Sequence, residues 1–137
     1  MKQASELRLH CPAQPQYVAH IRHALTAFLE ALQFDRALRD DITTAAGEAL
    51  ANVVEHAYAG SPNTATRDVQ LLARVDRGGR LRVDVSDRGS FVRREPLPGR
   101  GFGLRIIRAI AQQFQIDTTR GTCVSMGFDS LPFDQKR

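Results

Sequence analysis

Hydrophobic and polar residues alternate in five stretches of the chain, with the period of a strand that buries one face. These stretches predict strands over residues 5–11, 68–75, 80–87, 114–119 and 122–128. The second and third are joined by Asp-Arg-Gly-Gly (76–79), and the last two by Arg-Gly (120–121). Glycine and aspartate favour tight turns, so the pattern predicts two β-hairpins.

Elsewhere the hydrophobic residues recur at three- and four-residue spacings, which predicts helices. The first covers residues 16–34, the second runs from an N-cap at Asp40 or Asp41 to Ala57, and the third covers residues 104–111. The order β-α-α-β-β-loop-α-β-β predicts an α+β fold, a two-layer α/β sandwich with helices on one face of a mixed, mostly antiparallel sheet. The loop, residues 86–101, is long for so small a domain, which is typical of functional segments.

Length and composition favour one compact domain over residues 1–137, because 42% of the residues are hydrophobic. The chain has no apolar run of the ~18 residues that a membrane helix needs, and its start lacks the apolar core of a signal peptide. We therefore expect a soluble, cytoplasmic protein. Cys11 and Cys123 lack a metal-site spacing and are expected to be buried free thiols.

The formal net charge of +4 raises the question of nucleic-acid binding. The arginines are interleaved with aspartate and glutamate, and no aromatic residues alternate with them as a base-stacking surface requires. Direct nucleic-acid binding is therefore disfavoured. The two alternatives are a solvated basic surface and an arginine-rich face for an acidic partner or phosphates.

The second helix carries Glu48, Asn52 and His56 at four-residue spacing, which predicts one polar stripe along it. A carboxylate and an amide so placed can set a general base beside a Mg²⁺ ligand, because both offer oxygen donors to a hard cation. The alternative is that Glu48 and Asn52 are ordinary solvent-facing helix residues.

Two glycine-bearing segments are further candidates. Asp87 ends a strand and can accept a hydrogen bond from an exocyclic amine such as that of adenine, while Gly89 permits close approach of the backbone. Gly99, Gly101 and Gly103 precede a helix, where free N–H groups and the helix dipole favour phosphates. The alternatives are an Asx-type turn for the first segment and a flexible hinge for the second.

Taken in order, these segments resemble the boxes of the histidine-kinase-like (GHKL) ATPase superfamily, which has a Bergerat-type ATP-binding fold. EALANVVEHAY (residues 48–58) resembles its N-box, DRGSF (87–91) its adenine box and GRGFGL (99–104) its second glycine box. GTCVSM (121–126) is similar to its final hairpin. The spacing of Glu, Asn and His-Ala-Tyr is most similar to one branch, the anti-sigma-factor serine kinases of bacterial partner-switching systems.

The resemblance implies ATP and Mg²⁺ as cofactors, with Asn52 holding the metal and Glu48 acting as general base on the hydroxyl of a partner protein. It places Asp87 on the adenine amine. The cofactor-binding residues that it implies all lie in these boxes, and they are Asn52, Asp87, Gly89, Gly99, Gly101, Gly103, Leu104 and Thr122.

By the same resemblance, the expected function is an ATP-dependent serine/threonine protein kinase that is also an anti-sigma factor. It would phosphorylate a STAS-domain anti-anti-sigma antagonist and sequester a sigma factor or related regulator, without contacting nucleic acid or membrane. The resemblance is compatible with a homodimer.

Two departures from the family pattern keep an alternative open. The adenine box reads Asp-Arg-Gly-Ser-Phe (87–91) and lacks the second glycine of the Asp-x-Gly-x-Gly pattern that many members have. The segment 92–98 is also short. A nucleotide-gated binding module without catalysis has the same fold and tolerates both departures. A sensor histidine kinase is disfavoured, because it needs a separate helical pair that carries the phosphoacceptor histidine.

Overall fold

The computed structural model describes residues 5–57, 67–88 and 102–129. The elements follow the predicted order: β1 (Ser5–Pro12), α1 (Pro15–Ala31), α2 (Arg36–Asn52), a π-helical segment (Val53–Ala57), β2 (Asp68–Val75), β3 (Leu81–Asp87), α3 (Phe102–Ile110), β4 (Gln113–Asp117) and β5 (Thr122–Phe128).

The five strands form one sheet in the order β1-β2-β3-β5-β4, and each neighbouring pair is antiparallel. Both predicted hairpins, β2–β3 and β4–β5, are present. In the helical layer, α2 contacts both α1 and α3, while α1 also contacts β1 and α2 contacts β3. The α+β fold with helices on one face of the sheet is therefore confirmed.

The alternation along the strands explains why the helices lie on one face of the sheet in the described part of the chain. In β2 and β3, one set of side chains (Leu71, Ala73, Val83, Val85) is buried under the helices. These pack with Leu25, Leu29, Ile42, Leu50, Ile107 and Met126 into a single core. Such burial of apolar surface is the main stabilising contribution to a domain of this size.

The opposite face of the sheet carries polar side chains. Arg74 pairs with Glu6 at 3.0 Å and Arg82 with Asp84 at 3.0 Å, and both guanidinium groups are mostly exposed. Exposed ion pairs contribute little to stability. The face is rich in arginine, which both alternatives for the positive charge require.

The first helix ends earlier than predicted, at Ala31 rather than at residue 34. Gln33 has a φ of +62°, a left-handed conformation that stops the helix. The N–H of the next residue, Phe34, still donates to the carbonyl oxygen of Leu29, at 3.0 Å. Phe34 is thereby kept in the core at the point where the chain reverses.

The predicted N-cap of the second helix, at Asp40 or Asp41, is wrong. The helix begins at Arg36 with Asp35 at the cap position, and the Asp35 side chain makes no capping hydrogen bond. The start is decided by the chain reversal and by Leu38, which packs against the core. Capping chemistry alone pointed to the wrong aspartates because it ignores such tertiary contacts.

The strand β4 ends at Asp117, two residues before the predicted limit. The Asp117 carboxylate accepts hydrogen bonds from the N–H and the Oγ1 of Thr119, which end the strand and lower the pKa of Asp117.

Cys11 and Cys123 are free and half-buried rather than fully buried, and burial raises the pKa of both thiols. Among the described residues, no helix has the length and hydropathy of a membrane span.

Candidate functional site

Asp87 stands at the carboxyl end of β3 on the face covered by the helices. Along this strand Leu81, Val83 and Val85 enter the core, and Asp87 occupies the next position of the same alternation. Its exposure is 7%, and it is the one buried charged side chain in the described ranges. Burying a carboxylate costs free energy unless polar groups compensate for lost hydration, which sets Asp87 apart from the apolar residues that share its face of β3.

Thr122 begins β5 directly opposite Asp87 in the antiparallel register. Its side chain lies on the same face as Val124 and Met126, as the burial alternation of β5 shows. Directly paired residues of antiparallel strands have Cβ atoms about 4.5–5.5 Å apart. A carboxylate acceptor and a hydroxyl therefore lie side by side at this end of the sheet.

Gly121, in the turn before β5, approaches the end of β3 very closely. An added Cβ there would lie 2.1 Å from the carbonyl oxygen of Asp87 and 2.8 Å from the Cα of Arg88. The sequence predicts Gly121 in a hairpin turn, but nothing in the local pattern indicates this contact with a strand far away along the chain.

Glu48 and Asn52 lie one turn apart near the carboxyl end of α2, and both are half-buried. Ala49 and Leu50 between them are buried in the core. The two polar side chains therefore share the border between the helix's buried and exposed surfaces, rather than its solvent face. Since α2 contacts β3, this border belongs to the helix that covers the strand of Asp87.

The predicted stripe does not continue to His56 with α-helical spacing. The helix changes after Asn52 into a π-helix over Val53–Ala57, which also contacts β3. A π-helix has a wider turn than an α-helix, is rare and is frequently found at functional sites. His56 belongs to this segment, and its side chain lies outside the described part of the structure.

Arg22 of α1 is a neighbour of this region that the sequence did not single out. Its Cδ lies 3.5 Å from the place where a Cβ on Gly47 would stand, an ordinary van der Waals distance, so the arginine stem packs against α2 at Gly47. Residues so distant along the chain carry no local signal of such a contact.

The glycine box is described only in part. Gly103 and Leu104 lie in the first turn of α3, and half-buried Leu104 packs against the core. Because α3 contacts α2, this turn begins a helix that neighbours the one carrying Glu48 and Asn52. The predicted site residues Gly89, Gly99 and Gly101 lie outside the described residues.

Two hollows of the described structure lie at opposite ends of the sheet. The smaller, of about 530 Å³, is lined by residues at the site end, namely Asp68, Gln70, Ser86, Asp87, Arg88, Arg120 and Gly121. The larger, of about 1040 Å³, lies beside the β2–β3 turn and includes none of the predicted site residues. Gln70 and Ser86 in this lining belong to the open face of the sheet, opposite to the face of Asp87. We therefore place the candidate site at the same end of the sheet but on its helix-covered face, with Asp87 and Thr122, because these residues carry the chemistry and volume alone does not.

The described residues contain no group of three or more His, Cys, Asp or Glu side chains placed to hold a metal. Asn52 and Glu48 nevertheless offer amide and carboxylate oxygens, the donors that Mg²⁺ prefers. Mg²⁺ that arrives with a nucleotide usually takes only one or two protein ligands, besides phosphate oxygens and water. This donor set fits such an ion.

With this geometry established, comparison with known proteins defines the class. The histidine kinase-like ATPase domain family matches residues 11–128, most of the chain, and the chain belongs to that family.

Within the family the chain is similar to serine-protein kinases of the RsbW type. It is 27% identical to the serine-protein kinase RsbW of Bacillus licheniformis over 143 aligned positions, which cover 92% of this chain and 87% of that protein. The resemblance to the anti-sigma-factor kinase branch is thereby confirmed.

Solved structures support the same fold. The structure of the RsbU and RsbW domains of Rv1364c from Mycobacterium tuberculosis matches 90% of this chain with a TM-score of 0.72 and 22% identity. This chain spans about a third of that longer one, 32%. The SiaB–SiaC complex from Pseudomonas aeruginosa matches with a TM-score of 0.69 and 15% identity, over 88% of this chain and 86% of that one.

Proposed function

We propose that this protein is an ATP-dependent serine/threonine kinase that also acts as an anti-sigma factor. It phosphorylates a STAS-domain anti-anti-sigma antagonist and sequesters a sigma factor or related regulator. The observation that carries the proposal is the buried Asp87, paired with Thr122, in a chain whose full-length relative is a serine-protein kinase.

In this proposal Asp87 accepts a hydrogen bond from the exocyclic amine of adenine, and Thr122 contacts the base beside it. The low exposure of Asp87 supports this role, because a hydrogen bond formed away from water discriminates more strongly between ligands. Gly89 gives the ring room, while Gly99, Gly101, Gly103 and Leu104 form the phosphate-binding segment.

Glu48 is the proposed general base. It accepts the proton of the attacking serine or threonine hydroxyl while that oxygen bonds to the γ-phosphorus and the bond to ADP breaks. Asn52 would hold Mg²⁺, which neutralises phosphate charge when bound. Phosphoryl transfer depends mainly on such positioning and charge neutralisation, so the set is sufficient for the reaction.

The proposal also sets the partners and the location. Unphosphorylated antagonist binds the kinase and releases the sigma factor, and phosphorylation reverses the exchange. Both partners are cytoplasmic proteins, and we place the chain there with them, without direct contact to nucleic acid or membrane. A homodimer is part of the proposal and is tested by sedimentation equilibrium.

The test is transfer of labelled phosphate from Mg-ATP to each STAS-domain protein encoded in the same genome, with nucleotide binding measured in parallel. Glu48→Gln keeps the size of the side chain but removes the base, so transfer should fall by at least about a hundredfold while Mg-ATP binding persists. Glu30→Gln, an exposed site on α1, is the matched control and should transfer normally.

Each outcome separates the candidates. Label on one antagonist with wild type and the control, but not with Glu48→Gln, supports the kinase and identifies its substrate. ATP binding without transfer to any STAS protein favours the nucleotide-gated binding module instead. Unchanged transfer by Glu48→Gln would remove Glu48 from the mechanism.

A further inference from the structure

The contact between Gly121 and the end of β3 is much tighter than a turn requires. Ordinary van der Waals contact of a Cβ begins at 3.4 Å, whereas a side chain at position 121 would meet the Asp87 oxygen at 2.1 Å. The next closest atoms are the Cα of Arg88 and the carbonyl carbon of Asp87, at 2.8 and 2.9 Å. All three are backbone atoms of a paired strand end, so no flexible side chain can move aside.

Gly121 also has a φ of +74°, a conformation that L side chains rarely adopt. Two independent features therefore restrict position 121 to glycine. One is the positive φ of its own backbone, and the other is the contact with the peptide that follows Asp87. Any side chain there must push the β4–β5 turn and the end of β3 apart. Both Thr122, the next residue, and Asp87 would move.

We infer that Gly121 is a positioning residue for adenine recognition: its lack of a side chain lets the β4–β5 turn rest on the Asp87 peptide and fixes the carboxylate and Thr122 together. This inference rests on the proposed function, since it takes Asp87 as the group that accepts a hydrogen bond from adenine. Hydrogen-bonded recognition tolerates displacements of only about 0.5 Å. Replacing Gly121 by a residue with a side chain should therefore reduce the selectivity for adenine as well as the stability of the fold.

The chain offers a matched control in Gly79, which lies in the β2–β3 turn at the other end of the sheet. Its φ is +85°, so alanine is disfavoured there for the same backbone reason. It is hydrogen-bonded within its own turn, its N–H donating to the carbonyl oxygen of Asp76 at 3.0 Å. Gly79→Ala thus reproduces the conformational strain away from Asp87.

The experiment compares the dissociation constants of ATP and inosine triphosphate (ITP) for wild type, Gly121→Ala and Gly79→Ala. ITP has the same purine shape and triphosphate but carries an oxygen in place of the amine. Wild type should prefer ATP. Gly121→Ala should weaken ATP binding roughly 10- to 100-fold, the effect of losing a hydrogen bond to a charged group, and change ITP binding little. Gly79→Ala should keep the wild-type preference.

The ratio of the two dissociation constants does not depend on the folded fraction, so moderate destabilisation does not obscure it. Gly121→Asn is the second variant, because asparagine tolerates a positive φ better than alanine and still brings the obstructing Cβ. It should lose the ATP preference as well.

A wild type that binds neither nucleotide would overturn the proposed function itself. A wild type that prefers ATP, with both Gly121 variants keeping that preference, would overturn only the role of Gly121. Failure of both Gly121 variants to fold while Gly79→Ala folds would also contradict the inference, since the glycine would then serve the fold as a whole.

Discussion

The two ends of the sheet contain turns with the same local requirement and different surroundings. At one end the β2–β3 turn has Gly79 with a φ of +85°, and at the other the β4–β5 turn has Gly121 with a φ of +74°. The first turn is stabilised from within, since the N–H of Arg80 donates to the Asp76 carboxylate at 2.9 Å. The second rests on the peptide after Asp87.

The two turns therefore differ in role: one serves the fold, and the other, in our proposal, also serves recognition of the nucleotide. The Gly79 turn joins two strands and can be understood from its own residues. The Gly121 turn also packs against the backbone at Asp87, whose carboxylate is buried. A change in the geometry of this turn would therefore displace residues of the candidate site. Two glycines with the same local role in sequence can therefore differ in what their substitution does.

The largest effect is expected from a destabilising core substitution near the β2–β3 turn, at the end of the sheet that is distant from Asp87. Leu81 is 1% exposed and lies at the start of β3, so Leu81→Ala should lower the free energy of unfolding by about 2–5 kcal/mol. Chemical denaturation measures this loss. The ratio of ATP to ITP affinity should nevertheless stay at its wild-type value, and a changed ratio would mean that the two ends are not independent.

A smaller effect is expected from matched aspartates at the two ends. Asp87→Asn should weaken ATP binding by about 1.5–3 kcal/mol, because it removes a charged hydrogen-bond acceptor. Asp76→Asn changes the same group in the β2–β3 turn and should affect stability only. Titration calorimetry gives both affinities, and equal losses of affinity would contradict the assignment of Asp87 to adenine.

Much of this fold could be predicted because its signals are local. The alternation in β2, β3 and β5 and the turn residues of both hairpins all lie within short segments, and these bounds agree closely with the structure. The start of α2 could not be found in this way, because a chain reversal at Gln33 decides it. The π-helix after Asn52 likewise gives no sequence signal.

The candidate site was partly accessible from sequence. Asp87 and Thr122 belong to motifs, and the register of β3 and β5 brings them together. The closeness of Gly121 to the Asp87 peptide and of Arg22 to Gly47 depends on how separate elements pack. Such contacts are tertiary, so no spacing rule along the chain predicts them.

A crystal structure of the Mg-ADP complex tests most directly whether adenine binds at the Asp87 end of the sheet. We expect the exocyclic amine within hydrogen-bond distance of the Asp87 carboxylate, about 2.7–3.2 Å, with Thr122 beside the base. Nucleotide bound in the larger hollow at the β2–β3 end, or adenine turned away from Asp87, would contradict it.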